Sequence, residues 1–313
     1  MRYRIRETRL GNALWKALTF ARNPKEIISR RRIAAACAAT TPAIMNSAAG
    51  YTLLPADGSP ELAAVLAACQ RLFDSKVMQV DNVTSNLAMP QAEKREEKRA
   101  FLRNLLGNDD LRTHPELVDF ALSDRAIGIA TKYLEMVPYL NRVDLLYSVP
   151  RSTEERIASQ LFHVDPEGVT QVKFFINVFD TNNDSGPFTF IPADDTARIL
   201  REIRALRRKQ GRPHVGRYLD EEIAAVGGTS AIISVTGAKG SGVAVDTSRC
   251  LHLGSRVKPG SFRLCLYLQY CASVEHGNVF DIERFRRDPI RYMAVKHSSR
   301  WEGTDVAAPH QMA

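Results

Sequence analysis

In the run Ser159-Gln160-Leu161-Phe162-His163-Val164-Asp165-Pro166-Glu167 a histidine and a carboxylate stand two residues apart. In extended backbone, residues i and i+2 leave the strand on one face, so His163 and Asp165 point the same way. An imidazole and a carboxylate placed so are two of the three ligands of a 2-His-1-carboxylate facial triad. That triad leaves the remaining positions of a non-haem Fe(II) open for co-substrate and oxygen. The third ligand should be a histidine on a distant strand. The chain has seven histidines: His114, His163, His214, His252, His276, His297 and His310. Only His252 has β-type sequence on both sides, Val243-Ala244-Val245 before it and residues 262–270 after it.

Residues 262–270 alternate with period two. Phe262, Leu264, Leu266, Leu268 and Tyr270 share one face; Arg263, Cys265, Tyr267 and Gln269 share the other. A guanidinium inside a β-structure is costly unless an anion pairs with it. If the polar face looks into the metal cavity, the distal carboxylate of 2-oxoglutarate would give Arg263 a bidentate partner. A His-x-Asp alone is a weak signal. Followed by a distant histidine and, eleven residues later, an arginine opening an alternating strand, it becomes specific. Blander readings stand beside each residue. His163 and Asp165 could sit in a surface turn with Pro166-Glu167-Gly168. Arg263 could be a strand arginine in a salt bridge, with Arg256 as its competitor for the anion. Lys173 fits either face of its strand, and Asp246-Thr247 could support the His252 ring.

Two textures must position these groups. The first 145 residues read as mostly helical. Residues 10–22 carry Leu14, Trp15, Leu18 and Phe20. Residues 61–73 carry the stripe Leu62, Val65, Leu66, Cys69 and Leu72. The charged run 93–99 reads as a solvated helix face. Pro115 starts a helix reaching about Leu122, and Asp124 starts another that Pro138 ends. After Pro150 come short β-rich runs: Phe174-Phe175-Ile176, Phe188-Thr189-Phe190-Ile191, 231–235, Val243-Ala244-Val245 and 262–270. Turn clusters such as 180–187 punctuate them. Residues 194–225 interrupt them with a basic helical pattern. Strands spaced in this way suggest a sandwich or barrel such as a jelly roll.

Composition narrows the field less. With 313 residues, 44% hydrophobic and 25% charged, the chain is globular rather than disordered or collagenous. Five cysteines with no CxxC, set mostly in apolar segments, read as reduced buried thiols rather than a disulfide frame or zinc knuckle. No apolar run reaches membrane-spanning length, and a cytoplasmic location is expected. The formal charge of +8 fits a nucleic acid, a membrane surface, an anionic small molecule or plain solubility. The basic residues are spread over 30–32, 198–209 and 284–291 without aromatic interleaving, so no nucleic-acid partner is expected.

The chain resembles the phytanoyl-CoA dioxygenase-like branch of the Fe(II)/2-oxoglutarate-dependent oxygenases. Four blocks carry the resemblance over roughly residues 115–275. They are 126–138; the 159–167 run; Val172-Lys173-Phe174-Phe175-Ile176-Asn177-Val178 into Ser185-Gly186-Pro187-Phe188-Thr189-Phe190-Ile191-Pro192; and Val245-Asp246-Thr247 through His252-Leu253-Gly254-Ser255 to Arg263. The resemblance implies His163, Asp165 and His252 as iron ligands and Arg263 as the 2-oxoglutarate anchor. Gln160 and Lys173 fall at co-substrate or substrate positions. One departure stands out: where the family commonly has Pro-Gly-Ser-His, this chain reads Pro192-Ala193-Asp194-Asp195.

The expected architecture is α+β. A double-stranded β-helix (jelly-roll, cupin-like) core spans 146–280 with a helical insertion at 194–225. A helical region, 1–145, packs on the core, and 281–313 form a C-terminal tail. The expected activity is Fe(II)- and 2-oxoglutarate-dependent oxidation of a small molecule by O2, releasing succinate and CO2. The retained carboxylate favours hydroxylation over halogenation. The alternatives are a catalytically idle binding or sensing protein on the same fold and, behind it, an oxygenase acting on nucleic acid. The basic helix 198–209 reads as a solvated face, or as a lid steering an anionic substrate.

Overall fold

The computed structural model describes residues 17–18, 21, 23–37, 45–83, 101–151, 155–165, 170–213 and 215–301. Most of the 10–22 helix expectation, all of the 93–99 run, and Pro166, Glu167, His214 and His310 lie outside these residues.

The apolar stripes fold as helices. The Leu62-to-Leu72 stripe lies on α2 (Pro60–Val83), which follows α1 (Pro24–Cys37). After the one-turn α3 (Asn108–Thr113), Pro115 occupies the first turn of α4 (Pro115–Ala121), where its missing N–H leaves no bond unmade. The Ser123 hydroxyl accepts from Ala126 N and starts α5 (Asp124–Leu134); the helix stops where Glu135 turns left-handed at φ 55°.

Eleven strands form two antiparallel sheets among the described residues. The first has the order β1-β9-β5-β11-β3-β2. It comprises β1 (Tyr51–Leu54), β2 (Leu102–Asn104), β3 (Tyr139–Ser148), β5 (Gln171–Asn177), β9 (Gly242–Val245) and β11 (Arg263–Cys271). The second has the order β7-β4-β10-β6-β8. It comprises β4 (Phe162–His163), β6 (Thr189–Ile191), β7 (Arg217–Tyr218), β8 (Ile233–Ser234) and β10 (Leu251–Leu253).

Period-two alternation assigns the faces of the larger sheet. Val172, Phe174, Ile176, Ala244, Leu264, Leu266, Leu268 and Tyr270 pack against α2, α4 and α5. Phe175, Val243, Val245, Cys265 and Tyr267 point the other way and meet Phe190 of the smaller sheet and Phe188 just before β6. A third core seals the back of the smaller sheet with α6 (Ala193–Lys209) and α7 (Asp220–Ala225). There Ile199, Leu200, Ile203 and Ile223 cover Phe162, Ile191, Leu251 and Leu253. The layers run helices, sheet, sheet, helices. Each buried Phe, Leu or Ile contributes about 2 kcal/mol to this arrangement. A one-residue slip of β11 would move four apolar side chains off their core and put Arg263 into it, so the register is firmly set.

Three features differ from the sequence expectation. The 145/146 boundary falls inside β3, and β1, β2 and β3 are strands of the larger sheet, so the described residues before 146 contribute strands to the core as well as helices packed on it. The 194–225 insertion is not wholly helical: between α6 and α7 the chain enters the smaller sheet as β7, pairing Tyr218 with Phe162 and Arg217 with His163. The expected tail contains α8 (Pro289–Val295), capped by Asp288 and packed with β3 and α1. Buried Arg30 of α1 ties these parts together. It donates to the carbonyls of Val137 and Pro138, both at 2.9 Å, and of Met293 at 2.7 Å. Its guanidinium also lies 3.4 Å above the Tyr139 ring.

Candidate metal centre

The histidines meet because β4 and β10 pair in one register, His252 opposite His163. Directly opposed residues of an antiparallel pair share a face, and the two rings stand 4.4 Å apart between centroids. Asp165 follows on the same face, its backbone N–H held by the Thr247 carbonyl at 2.9 Å. The three side chains bring one potential ligand atom each to within 4.8 Å of one another. His163 Nε2 lies 3.7 Å from Asp165 Oδ1, and His252 Nε2 lies 3.4 Å from Oδ2.

Backbone carbonyls settle the tautomers. His163 Nδ1 lies 2.8 Å from Leu161 O, and His252 Nδ1 lies 2.9 Å from Cys250 O. A carbonyl only accepts, so each Nδ1 carries a hydrogen and each Nε2 is the ring nitrogen that faces the carboxylate. This is the outer support that a metal-binding histidine requires. Burial, with His252 facing it, pushes the His163 imidazole well below its ordinary value and keeps it neutral. Burial alone would raise the Asp165 carboxyl, but the groups facing it, the Lys173 ammonium first among them and then His252 and His163, together outweigh that effect and hold it well below the usual carboxylate range. Two imidazole nitrogens and one ionised carboxylate fit a divalent first-row metal.

The other expected site residues fall into two groups. Arg263 and Lys173 both reach the inner face of the larger sheet. Arg263 is 5% exposed, and its Nε and Nη2 have no hydrogen-bond partner among the described residues. A Cβ at Gly254, two residues past His252, would lie 3.8 Å from Arg263 Nη1, so the guanidinium rests against the strand end that carries the second histidine. Lys173 crosses from β5 to donate to Asp165 Oδ2 at 2.6 Å.

Gln160 and Arg256 serve the loops. The Gln160 amide donates to Ser255 O at 3.0 Å, and its Oε1 accepts from Ile157 N at 3.3 Å. Gly254 N donates to Ser159 O at 2.9 Å and Arg256 Nε to Gln160 O at 2.8 Å. The loop entering β4 is therefore zipped to the loop leaving β10. Arg256 also forms a bidentate pair with Asp220 of α7 at 2.9 and 2.8 Å, which leaves it no free fork for an anion. Asp246 does not support His252. Its carboxylate accepts from Tyr133 at 2.7 Å and from Ser248, and the Cys250 carbonyl takes the role expected of it.

Sequence reasoning missed the Leu161, Cys250 and Thr247 carbonyls, which no side-chain pattern announces. It also missed Asp220, which looks like an ordinary first-turn helix acid, and Phe188, whose ring lies 5.5 Å from His252. Ser255, left-handed at φ 62°, pairs its hydroxyl with Ser148 at 3.0 Å beside Arg263.

No family model matches the chain, and no curated protein is similar to it in sequence. Similar solved structures include the epimerase SnoN in complex with Fe3+, alpha ketoglutarate and nogalamycin RO. It is 14% identical over 77% of this chain and 84% of that chain, with a TM-score of 0.45. The non-heme alpha ketoglutarate dependent carbocyclase SnoK from nogalamycin biosynthesis is 18% identical over 77% and 87%, with a TM-score of 0.43. EctD from S. alaskensis with bound Fe is 16% identical over 74% and 76%, with a TM-score of 0.46. Among the described residues no helix is long and apolar enough to cross a membrane.

Proposed function

We propose that this chain is an Fe(II)- and 2-oxoglutarate-dependent oxygenase acting on a small molecule, built on a double-stranded β-helix core. The observation that carries the reading is the pairing of two features between the sheets. Two Nε2 atoms and an ionised carboxylate converge, and a buried guanidinium, its Nε and Nη2 without a hydrogen-bond partner among the described residues, lies against Gly254, two residues past His252. His163, Asp165 and His252 would hold the iron. Arg263 would hold the distal carboxylate of 2-oxoglutarate and so aim its oxo-acid end at the metal. Bound there, iron with O2 and 2-oxoglutarate supplies the oxidation: CO2 and succinate leave, and a substrate C–H becomes C–OH. The protein's own part is to keep the His163 imidazole neutral, orient both rings by the Leu161 and Cys250 carbonyls, and exclude water with the Phe175, Phe188 and Tyr267 rings.

The test is succinate release from 2-oxoglutarate with Fe(II) and ascorbate. The wild-type protein is expected to turn over slowly without a primary substrate, and His163→Ala to show none. Tight 2-oxoglutarate binding with no succinate under any condition would favour an idle binding protein. Equal turnover by His163→Ala would overturn the assignment of the metal site.

A further inference from the structure

The turn 246–250 carries the chain from β9 of the larger sheet to β10 of the smaller one. Its backbone also meets two residues of the candidate metal centre. The Thr247 carbonyl accepts from Asp165 N at 2.9 Å, and the Cys250 carbonyl lies 2.9 Å from His252 Nδ1. A carbonyl points where the dihedrals of its backbone aim it. Whatever fixes this turn therefore also fixes where those two side chains stand.

Inside the turn, Asp246 O accepts from Arg249 N at 3.1 Å and from Cys250 N at 2.8 Å. The fully buried Asp246 carboxylate accepts through Oδ1 from the Ser248 N–H at 3.0 Å and from the Ser248 hydroxyl. Those bonds shape the turn itself. The other oxygen is committed outside it. Oδ2 accepts at 2.7 Å from the hydroxyl of Tyr133, in the last turn of α5, and that hydroxyl accepts from Arg249 Nη1 at 2.9 Å. Arg249 also donates to Ser47 O at 2.7 Å and to Ala48 O at 3.3 Å, and Asp246 N donates to Gly50 O at 2.8 Å. The Tyr133 hydroxyl thus stands between two charged side chains of the turn, donating to one and accepting from the other. It ties the turn to α5, while the segment before β1 holds the other side. Without that hydroxyl a buried carboxylate oxygen loses its donor, and it can find another only if the carboxylate swings and the turn moves with it.

We infer that Tyr133 is a positioning residue for the metal centre: through Asp246 and Arg249 its hydroxyl sets the 246–250 turn, and with it the Thr247 and Cys250 carbonyls that place Asp165 and His252. The inference deepens the iron and 2-oxoglutarate reading given above and rests on it. Asp246 does not itself reach the His252 ring; its effect runs along the backbone of the turn. Outer partners of this kind tune metal affinity because they orient the ligands.

The experiment titrates the metal-free protein with Co(II), whose visible d–d bands report the arrangement of its ligands. Tyr133→Phe keeps the ring and removes the hydroxyl. It should weaken Co(II) binding roughly tenfold, the lower end of what loss of an outer partner costs a metal site, and shift the d–d bands. Tyr270→Phe is the control. It deletes another tyrosine hydroxyl bond, the one to Ala121 O at 2.6 Å on the helix-facing side of β11. It should lower the melting temperature and leave Co(II) affinity and bands as in the wild type. Arg249→Met removes the partner on the other side of the Tyr133 hydroxyl and should weaken Co(II) binding in the same way; it carries the comparison if Tyr133→Phe does not fold by circular dichroism. Wild-type affinity and bands in the folded variant, or an equal loss in Tyr270→Phe, overturn the inference and leave the proposed function standing. Failure of the wild-type protein to bind Co(II) at all overturns both.

Discussion

A guanidinium that is 5% exposed, with two nitrogens unpartnered among the described residues, is costly to bury without an anion to complete it. Arg263 differs in this from the other buried arginines. Arg30 spends its nitrogens on three carbonyls and Glu26, and Arg207 forms a bidentate pair with Glu222 at 2.7 and 2.6 Å. Among the buried arginines, Arg263 is therefore the one whose Nε and Nη2 have no partner among the described residues. Arg263→Met should weaken 2-oxoglutarate binding on the order of a hundredfold, because a buried charge pair is worth about 3 kcal/mol when one partner is removed. Metal affinity should stay nearly unchanged, since the residue does not touch the triad. Calorimetric titration with Ni(II) and then 2-oxoglutarate separates the two; an equal loss of both would mean that Arg263 supports the fold instead. Arg263→Lys should recover only part of the affinity, because an ammonium cannot present the planar fork.

The ligands are carried by short elements: β4 has two residues and β10 has three. Elements this short do not fix their own geometry, so the loops beside them must. The contacts Gly254 N to Ser159 O, Gln160 to Ser255 O and Arg256 to Gln160 O zip those loops together, and Asp220 on α7 anchors the zipper through Arg256 and Arg156. Although burial works to raise the Asp220 carboxyl, the Arg256 and Arg156 guanidiniums more than offset it and hold it ionised. Asp220→Asn should therefore speed amide hydrogen exchange in residues 157–161 and 254–256, while the β11 and β5 amides keep their protection. Exchange unchanged in both loops would show that the latch is decorative. The arrangement also gives the basic insertion a purpose: α6 and α7 brace the back of the sheet that holds the metal ligands.

Across the whole molecule, what was legible in the sequence and what was not divides along physical lines. The alternation of β11 foretold which of its residues face the helices and which the smaller sheet, since nine consecutive strand residues leave little ambiguity. His252 was legible from its flanks. The partner of β4 was not, because a two-residue strand has no periodicity and its pairing with β10 is fixed only by tertiary packing. Strands β1 to β3 were hidden in a stretch whose helical stripes dominate, so the larger sheet drew half its strands from a region that reads as helical. Gln160 lies where a co-substrate contact was expected, and in the structure its amide donates to the Ser255 carbonyl, a bond no side-chain pattern announces. These differences leave the central claim concentrated in three side chains and one guanidinium. The most direct measurement of it is an anaerobic titration of the Fe(II)-loaded protein with 2-oxoglutarate, followed by visible charge-transfer absorption. A saturable band that forms with one equivalent in the wild-type protein and is absent from His252→Ala is the predicted result; no band in the wild type, or an equal band in His252→Ala, would contradict it.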